Sequence, residues 1–189
     1  MNTEQKNLLL ALARAVLENK LLGCKHDLKT YRCVAFDDKC GLFVTLTLQG
    51  KLRGCIGQIE AEDTIYNNTI QLVRSAAFKD RRFSPLTGKE LRQVLIEISL
   101  LTKPKELIGS DIYEKIDQIR PHIDGVVLKS GCRKSTFLPQ VWESISTHEA
   151  FISGLCCKTG LPEDYWRNQR VELSVYQVEH FQEAGTNGQ

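Results

Sequence analysis

The chain lacks the features that mark membrane, secreted and lipid-anchored proteins. Within its 189 residues no segment approaches the roughly 20 consecutive apolar residues that a membrane helix needs. The sequence does not open with a secretory signal, and it carries no lipidation motif at either end. These absences predict a protein of the cytoplasm or the nucleus, without membrane association.

An excess of charge of one sign is also lacking. Lys and Arg total 25 against 23 Asp and Glu, which gives a formal net charge of +2. Nucleic-acid binding usually requires clustered positive charge, and the short basic cluster at residues 79–82 is interrupted by Asp80. We therefore expect neither nucleic acid nor an anionic membrane as the partner.

Motifs for nucleotides, metals and serine hydrolysis are absent as well. The sequence contains no GxGxxG or Walker loop, no GxSxG elbow, and no CxxC or HExxH ligand set. Its seven cysteines are odd in number and scattered, which favours a reducing compartment where most thiols pack as small hydrophobes. Adjacent Cys156 and Cys157 point to different faces of their predicted helix, the wrong geometry for one metal. We expect no metal and no cofactor.

What the sequence does contain is an irregular alternation of helix and strand patterns. Apolar residues at helical spacing predict helices, whereas alternating apolar and β-branched residues predict strands. Their order favours an α+β fold, with a mixed sheet flanked by helices, over a doubly wound parallel sheet. The predicted helices begin near residues 3, 64, 110 and 147, and the predicted strands cover 41–48, 95–101, 125–128, 136–138 and 171–178.

The segment Arg53-Gly54-Cys55-Ile56-Gly57 is predicted to form a turn after the first strand. Its glycines permit backbone conformations closed to other residues and let a ligand approach the main chain. An adjacent guanidinium favours the thiolate, which is the nucleophilic form of cysteine. The alternative is a structural turn whose thiol is buried and inert.

Three arginines lie outside the predicted helices, so an exposed helix surface does not account for their charge. Arg53, Arg82 and Arg133 would form an anion pocket if they converged, because a guanidinium binds carboxylate or phosphate through two parallel hydrogen bonds. The alternative for each is a solvated charge or a loop brace. His122 and His148 are candidate bases for the thiol, and the alternative for both is polar surface.

Several stretches together are specific enough to suggest a family. Residues 52–57 read LRGCIG, and residues 76–85 read AAFKDRRFSP. In this order they resemble the AMMECR-type domain family, whose bacterial and archaeal members are called AmmeMemoRadiSam system protein A. The resemblance extends over nearly the whole chain through IEISLL at 96–101, DGV at 124–126, TFLPQV at 136–141 and Trp166.

The resemblance implies two subdomains, the larger built from both chain ends and the smaller from the middle. We expect residues 1–49 and 105–189 to form the larger α+β subdomain, and residues 50–104 to form a smaller α/β lobe that carries the glycine-flanked turn. In the family this turn lies on the expected functional surface and its cysteine, matched here by Cys55, is a suspected catalytic residue. The run from Gly131 to Thr136 departs from the family pattern, because bulkier residues replace glycines there.

Two functions fit these features, and the sequence leaves both open. The first is an enzyme with Cys55 as the catalytic residue and an anionic substrate, in a pathway with Memo-type and radical-SAM proteins as the resemblance implies. The alternative is a non-catalytic protein-binding or scaffold domain, in which the same turn is a docking surface or a structural corner. The substrate-binding residues expected for the enzyme are Arg53, Gly54, Gly57, Arg82 and Arg133.

Overall fold

Two hydrophobic cores divide the chain into two units. The computed structural model describes residues 1–168 and 171–184. Among the described residues, the first unit comprises Met1–Leu101 together with residues 179–184, and the second lies within Thr102–Val178. Each unit has its own cluster of buried apolar side chains.

The first unit opens with helix α1, which covers Thr3–Leu21. Its N-cap is Asn2, which forms a reciprocal capping box with Gln5. Two short 3₁₀ segments follow, at Leu28–Tyr31 and Val34–Phe36. The remaining elements are β1 (Gly41–Leu48), β2 (Lys51–Gln58), α2 (Ile65–Phe78), α3 (Gly88–Leu91), β3 (Val94–Leu101) and, after the second unit, β8 (Val178–Gln182).

The sheet of the first unit has the strand order β2-β1-β3-β8, so β2 lies at an edge. Strand β1 pairs antiparallel with both β2 and β3. Because side chains alternate along a strand, Leu42, Val44 and Leu46 all point into the core, where each is fully buried. The helices α1 and α2 contribute the other side of this core.

The predicted turn at residues 53–57 is wrong, because these residues lie within strand β2. The chain reverses earlier, at Gln49 and Gly50, whose φ angles are +53° and +74°. Two consecutive left-handed residues match the right-handed twist of a hairpin. The sequence did not predict this strand, because Gly54 and Gly57 interrupt the alternation of apolar and polar residues that is typical of strands.

The second unit packs a four-stranded sheet of order β4-β7-β5-β6 against helices. Trp142 and Phe151 stack with ring centroids 3.9 Å apart in its core, and Trp166 is fully buried. The elements are β4 (Lys105–Glu106), α4 (Ile112–Asp117), β5 (Gly125–Ser130), β6 (Arg133–Phe137), a 3₁₀ segment (Pro139–Glu143), α5 (His148–Lys158), α6 (Tyr165–Asn168) and β7 (Glu172–Tyr176).

The predicted α+β class is confirmed. The expected sheet was mixed, whereas the pairings of β1 with β2 and β3, of β5 with β6 and β7, and of β4 with β7 are all antiparallel. The units also differ from the expected subdomains, since residues 1–49 and 50–101 share one sheet and one core. In the described ranges, none of the helices combines the length and apolar character needed to cross a membrane.

Candidate functional site

Cys55 lies in the edge strand β2 and is a partly exposed residue with a free thiol. It sits opposite Thr45 of β1 in the antiparallel register. Its main-chain N–H and C=O point away from β1, which makes this a non-hydrogen-bonded pair, the kind in which facing side chains approach more closely. The Thr45 hydroxyl accordingly donates to the Cys55 Sγ at 3.3 Å.

The outward main chain of Cys55 is bound by the segment that follows helix α2. Its N–H donates to Asp80 Oδ2 at 2.9 Å, and its carbonyl accepts from Arg82 Nη2 at 3.2 Å. Edge strands expose unpaired N–H and C=O groups unless something covers them. Here an Asp–Arg pair takes the place of a neighbouring strand.

Asp80 is the centre of this arrangement. It is 7% exposed, and it also accepts from the main-chain N–H of Arg82 at 3.1 Å and from the guanidinium through both carboxylate oxygens, at 3.0 and 2.7 Å. The hydrogen bonds from Arg82 hold the pKa of the Asp80 carboxyl well below its usual value, against the opposing effect of burial. The carboxylate is therefore ionised throughout the physiological range and positions Arg82 beside the cysteine.

Arg53 is held by a second carboxylate. Its Nε and Nη2 atoms donate to the two oxygens of Glu90 at 2.8 and 3.2 Å, the two-point geometry that suits a guanidinium. These hydrogen bonds lower the pKa of Glu90 to about 2. Arg53 is only 9% exposed. Since Arg53 lies in strand β2 and Glu90 in the short helix α3, this pair connects the two elements.

The two arginines come together on Phe83. The guanidinium carbon of Arg53 lies 5.9 Å from the ring centroid, and that of Arg82 lies 5.6 Å from it. Both distances are within the range of cation–π attraction. The structure therefore brings Arg53, Arg82 and Cys55 into one neighbourhood, as a convergent site would require.

The two glycines beside Cys55 have packing partners of their own. A Cβ atom at Gly54 would overlap the carbonyl oxygen of Ala76 on helix α2. A Cβ atom at Gly57 would overlap the Phe43 ring and lie 2.6 Å from the carbonyl oxygen of Leu42. Both positions therefore let other groups approach β2 more closely than any side chain would allow.

Arg133 belongs to the second unit, unlike the other two arginines. It lies at the start of strand β6, where its Nη1 donates to the carbonyl oxygen of Gly160 at 2.9 Å. His148 is in the same unit and its Nε2 lies 2.9 Å from the carbonyl oxygen of Ile119. Within residues 1–168 and 171–184, no histidine is hydrogen-bonded to Cys55, and no group of three or more His, Cys, Asp or Glu could hold a metal.

Three residues of this site were not predicted from the sequence, namely Thr45, Asp80 and Glu90. In the sequence, Asp80 interrupts a basic cluster, but an Asp two residues before Arg82 also has the spacing of an Asx turn. Glu90 ends the pattern Thr87-Gly88-Lys89-Glu90, which forms a capping box at α3. Thr45 offered no signal, because only the register of β1 and β2 places it opposite Cys55.

Fold and site together define a two-unit α+β protein with a partly exposed cysteine on an edge strand, near two arginines that are each bound to a carboxylate. The model of the AMMECR1 family matches residues 10–181. The chain belongs to this family.

Archaeal relatives are similar over the whole chain. Protein MJ0810 of Methanocaldococcus jannaschii is 33% identical, with 100% of this chain and 95% of that protein covered. Protein MK0488 of Methanopyrus kandleri is 32% identical, with 100% and 93% covered. The crystal structure of the uncharacterized protein PH0010 from Pyrococcus horikoshii has a TM-score of 0.85 at 28% identity and covers 100% of this chain and 96% of that one. The names of these relatives do not specify a reaction.

Proposed function

We propose that this protein is a cysteine-centred enzyme that acts on an anionic substrate, with Cys55 as the reacting group. The observation that supports this proposal is the placement of partly exposed Cys55 beside Arg82, which donates to the Cys55 carbonyl and whose guanidinium is fixed by Asp80. Fixed cations next to a nucleophile bind an anionic substrate without reorganising when it arrives.

Arg82 is the substrate-binding cation in this proposal. Its side chain is 56% exposed, and the hydrogen bonds to Asp80 and Cys55 use Nε and Nη2. The Nη1 group is therefore left to donate to a bound carboxylate or phosphate. Arg53 is a positioning residue, because Glu90 occupies its fork and only 11% of its side chain is exposed.

Thr45 fixes the position of the sulfur. Its hydroxyl donates to Sγ across the strand pair, and the β1–β2 register holds both residues on one face of the sheet. A reacting atom that is supported by regular secondary structure is held more precisely than one on a loop. The substrate anion at Arg82 would then set the distance between the thiol and the electrophilic atom.

The first experiment is a measurement of iodoacetamide labelling at each cysteine of the native protein, followed by peptide mass spectrometry. We expect Cys55 to label faster at pH 7 than exposed Cys132 and Cys157, although it is less accessible, because the reacting group of an enzyme is more nucleophilic than a surface thiol. Buried Cys156 provides the protected reference. Inorganic phosphate and succinate should slow labelling of Cys55 by occupying Arg82.

A matched pair of variants separates the two arginines that lie side by side. Arg82→Lys should slow Cys55 labelling several-fold, because a lysine cannot hold both Asp80 and the strand carbonyl. Arg81→Lys, an exposed neighbour with the same chemical change, should leave the rate unchanged. Cys55 labelling no faster than Cys132, and unaffected by either anion, would rule out this function.

A non-catalytic protein-binding role is the second candidate, and one observation favours it. Two of the three guanidiniums that were expected to hold a substrate, those of Arg53 and Arg82, already bind the carboxylates of Glu90 and Asp80. On this alternative the arrangement is a structural corner that protects the edge of the sheet. Protection of Cys55 from iodoacetamide until the protein unfolds would favour it over the enzyme.

The family resemblance extends the proposal to a pathway. We expect a Memo-type protein and a radical-SAM protein to act with this one on a shared substrate or on successive products. Support comes from the family membership alone. Purified Memo-type and radical-SAM proteins from the same organism, tested for a change in Cys55 labelling, would check this expectation.

A further inference from the structure

A groove of about 630 Å³ runs along the outer face of helix α2 in the first unit. This volume lies within the roughly 300–1,000 Å³ of ordinary ligand pockets. The groove extends along α2 from Asn67 to Lys79, and Lys20 of α1 joins its wall. Twelve residue steps of α-helix measure about 18 Å, so the groove is elongated.

The wall of the groove is positively charged. Lys20, Arg74 and Lys79 line it, whereas no Asp or Glu does so among the residues that the structure describes. In that part of the chain none of the three side chains forms an ion pair. Three cations without a counter-charge favour an anionic ligand.

The floor of the groove is apolar. Ile70 and Phe78 pack one side against the core and leave the other side partly exposed in the groove. A purely ionic ligand would not cover this surface, whereas an aliphatic or aromatic side chain would remove it from water. The ligand therefore combines negative charge with an apolar group.

Polar side chains between the cations add a third constraint. Gln71 and Ser75 lie one helical turn apart and both line the groove. Their side chains have no hydrogen-bond partner among the described residues, which leaves an amide and a hydroxyl available to the C=O and N–H groups of a peptide backbone. Nucleic acid and lipid headgroups have no such repeating amides.

We propose that this groove binds a short acidic segment of a partner protein that carries an aliphatic or aromatic side chain. The carboxylates contact Lys20, Arg74 and Lys79, and the apolar side chain covers Ile70 and Phe78. Amphipathic segments commonly bind apolar grooves with flanking charges in this way. The inference is independent of the chemistry proposed for Cys55.

The test is fluorescence anisotropy with a fluorescein-labelled peptide of sequence Glu-Asp-Leu-Phe-Glu-Asp. We expect saturable binding that weakens with salt, because the charged contacts are exposed to solvent. Arg74→Glu should weaken it about tenfold, and Gln71→Glu, which adds one negative charge at nearly constant shape, about threefold. Both positions are exposed on α2, so the melting temperature should be unchanged.

Matched controls separate this groove from general attraction to cations. Arg92→Glu makes the same charge reversal on an exposed residue after α3 and should leave binding unchanged. Binding of a hexapeptide of Glu alone with equal affinity would overturn the proposal, since the apolar floor would then contribute nothing. Equal loss in Arg92→Glu, Arg74-dependent binding to phosphatidylserine vesicles, or no saturable binding at millimolar peptide would overturn it as well.

Discussion

Residue 54 is a glycine, so a hydrogen atom occupies the place where any other amino acid would have a Cβ atom. That place lies against the carbonyl oxygen of Ala76, in the last turns of helix α2. Since the backbone of a helix cannot shift without moving its whole buried face, the contact leaves no room for relaxation. Gly54 therefore sets how closely α2 approaches the strand that carries Cys55.

Substitution of Gly54 by Ala should lower the free energy of unfolding by about 1–3 kcal/mol, the usual cost of overpacking a close contact. The same substitution at Gly88 is the control, because its Cβ atom would meet its nearest neighbours at 3.5 Å, an ordinary contact. Gly88→Ala should be neutral or slightly stabilising at the start of α3. Urea unfolding followed by circular dichroism measures both, and equal effects would show that the α2 contact is not limiting.

Two ion pairs contact the edge strand β2, one from the segment after α2 and one through helix α3. Asp80 and Arg82 come from the segment after α2 and bind the main chain of Cys55. Glu90 comes from α3 and binds Arg53. These pairs cover one strand from two elements, so that a polar edge is satisfied without a further strand.

The Arg53–Glu90 pair should make the stability of the first unit depend on pH. The pKa of Glu90 is lowered to about 2 in the folded protein, below the roughly 4.3 of an unfolded chain. Its stabilisation is therefore complete above that unfolded value and is lost as pH falls toward 2. Replacing it with Gln should cost about 1–3 kcal/mol at pH 7 and progressively less below about pH 4.5.

Urea unfolding of the wild type and Glu90→Gln between pH 7 and pH 2.5 measures this difference. The control is Glu149→Gln, which breaks an exposed ion pair with Arg167 whose Glu149 side chain is 60% accessible. It should change the free energy of unfolding by less than about 0.5 kcal/mol at every pH. A Glu90→Gln penalty that stays constant down to pH 2.5 would contradict the assigned role of the pair.

The two units have separate cores, and each core is built from its own sheet. Leu46 is fully buried in the first core and Leu173 in the second. A domain with its own core is expected to open as its own cooperative unit. The whole molecule is thus described by two local stabilities.

Leu46→Ala should reduce the opening free energy of amides in the first unit by about 2–5 kcal/mol, because truncation leaves a cavity in a fully buried site. Amides of β5 and β7 in the second unit should lose much less. Leu173→Ala should produce the reverse pattern. Hydrogen exchange followed by mass spectrometry measures all of them, and equal losses in both units for either variant would mean that the molecule opens as one.

The elements with strong local patterns were predictable from sequence. Strand β1 has the predicted bounds, 41–48, and α2 covers 65–78 after a predicted start at 64. Both signals arise from short-range periodicity, which a single sequence displays directly. Strand β2 was not predictable in this way, because Gly54 and Gly57 stand where a strand usually has larger residues. Groups distant along the chain, at Ala76 and Phe43, leave no space for a Cβ atom at these two positions.

The candidate site also combines features that were predictable from the sequence with features that were not. The sequence by itself determined the α+β class and the family, and it marked the segment around Cys55 as the candidate site, because residue types and short spacings carry this information. Only the tertiary structure decided that Arg53 and Arg82 meet on Phe83 while Arg133 belongs to another unit. It also decided that Asp80 and Glu90 already hold the two cations. The two ion pairs join residues that lie 2 and 37 positions apart, and strand register and helix packing determine which long-range contacts form.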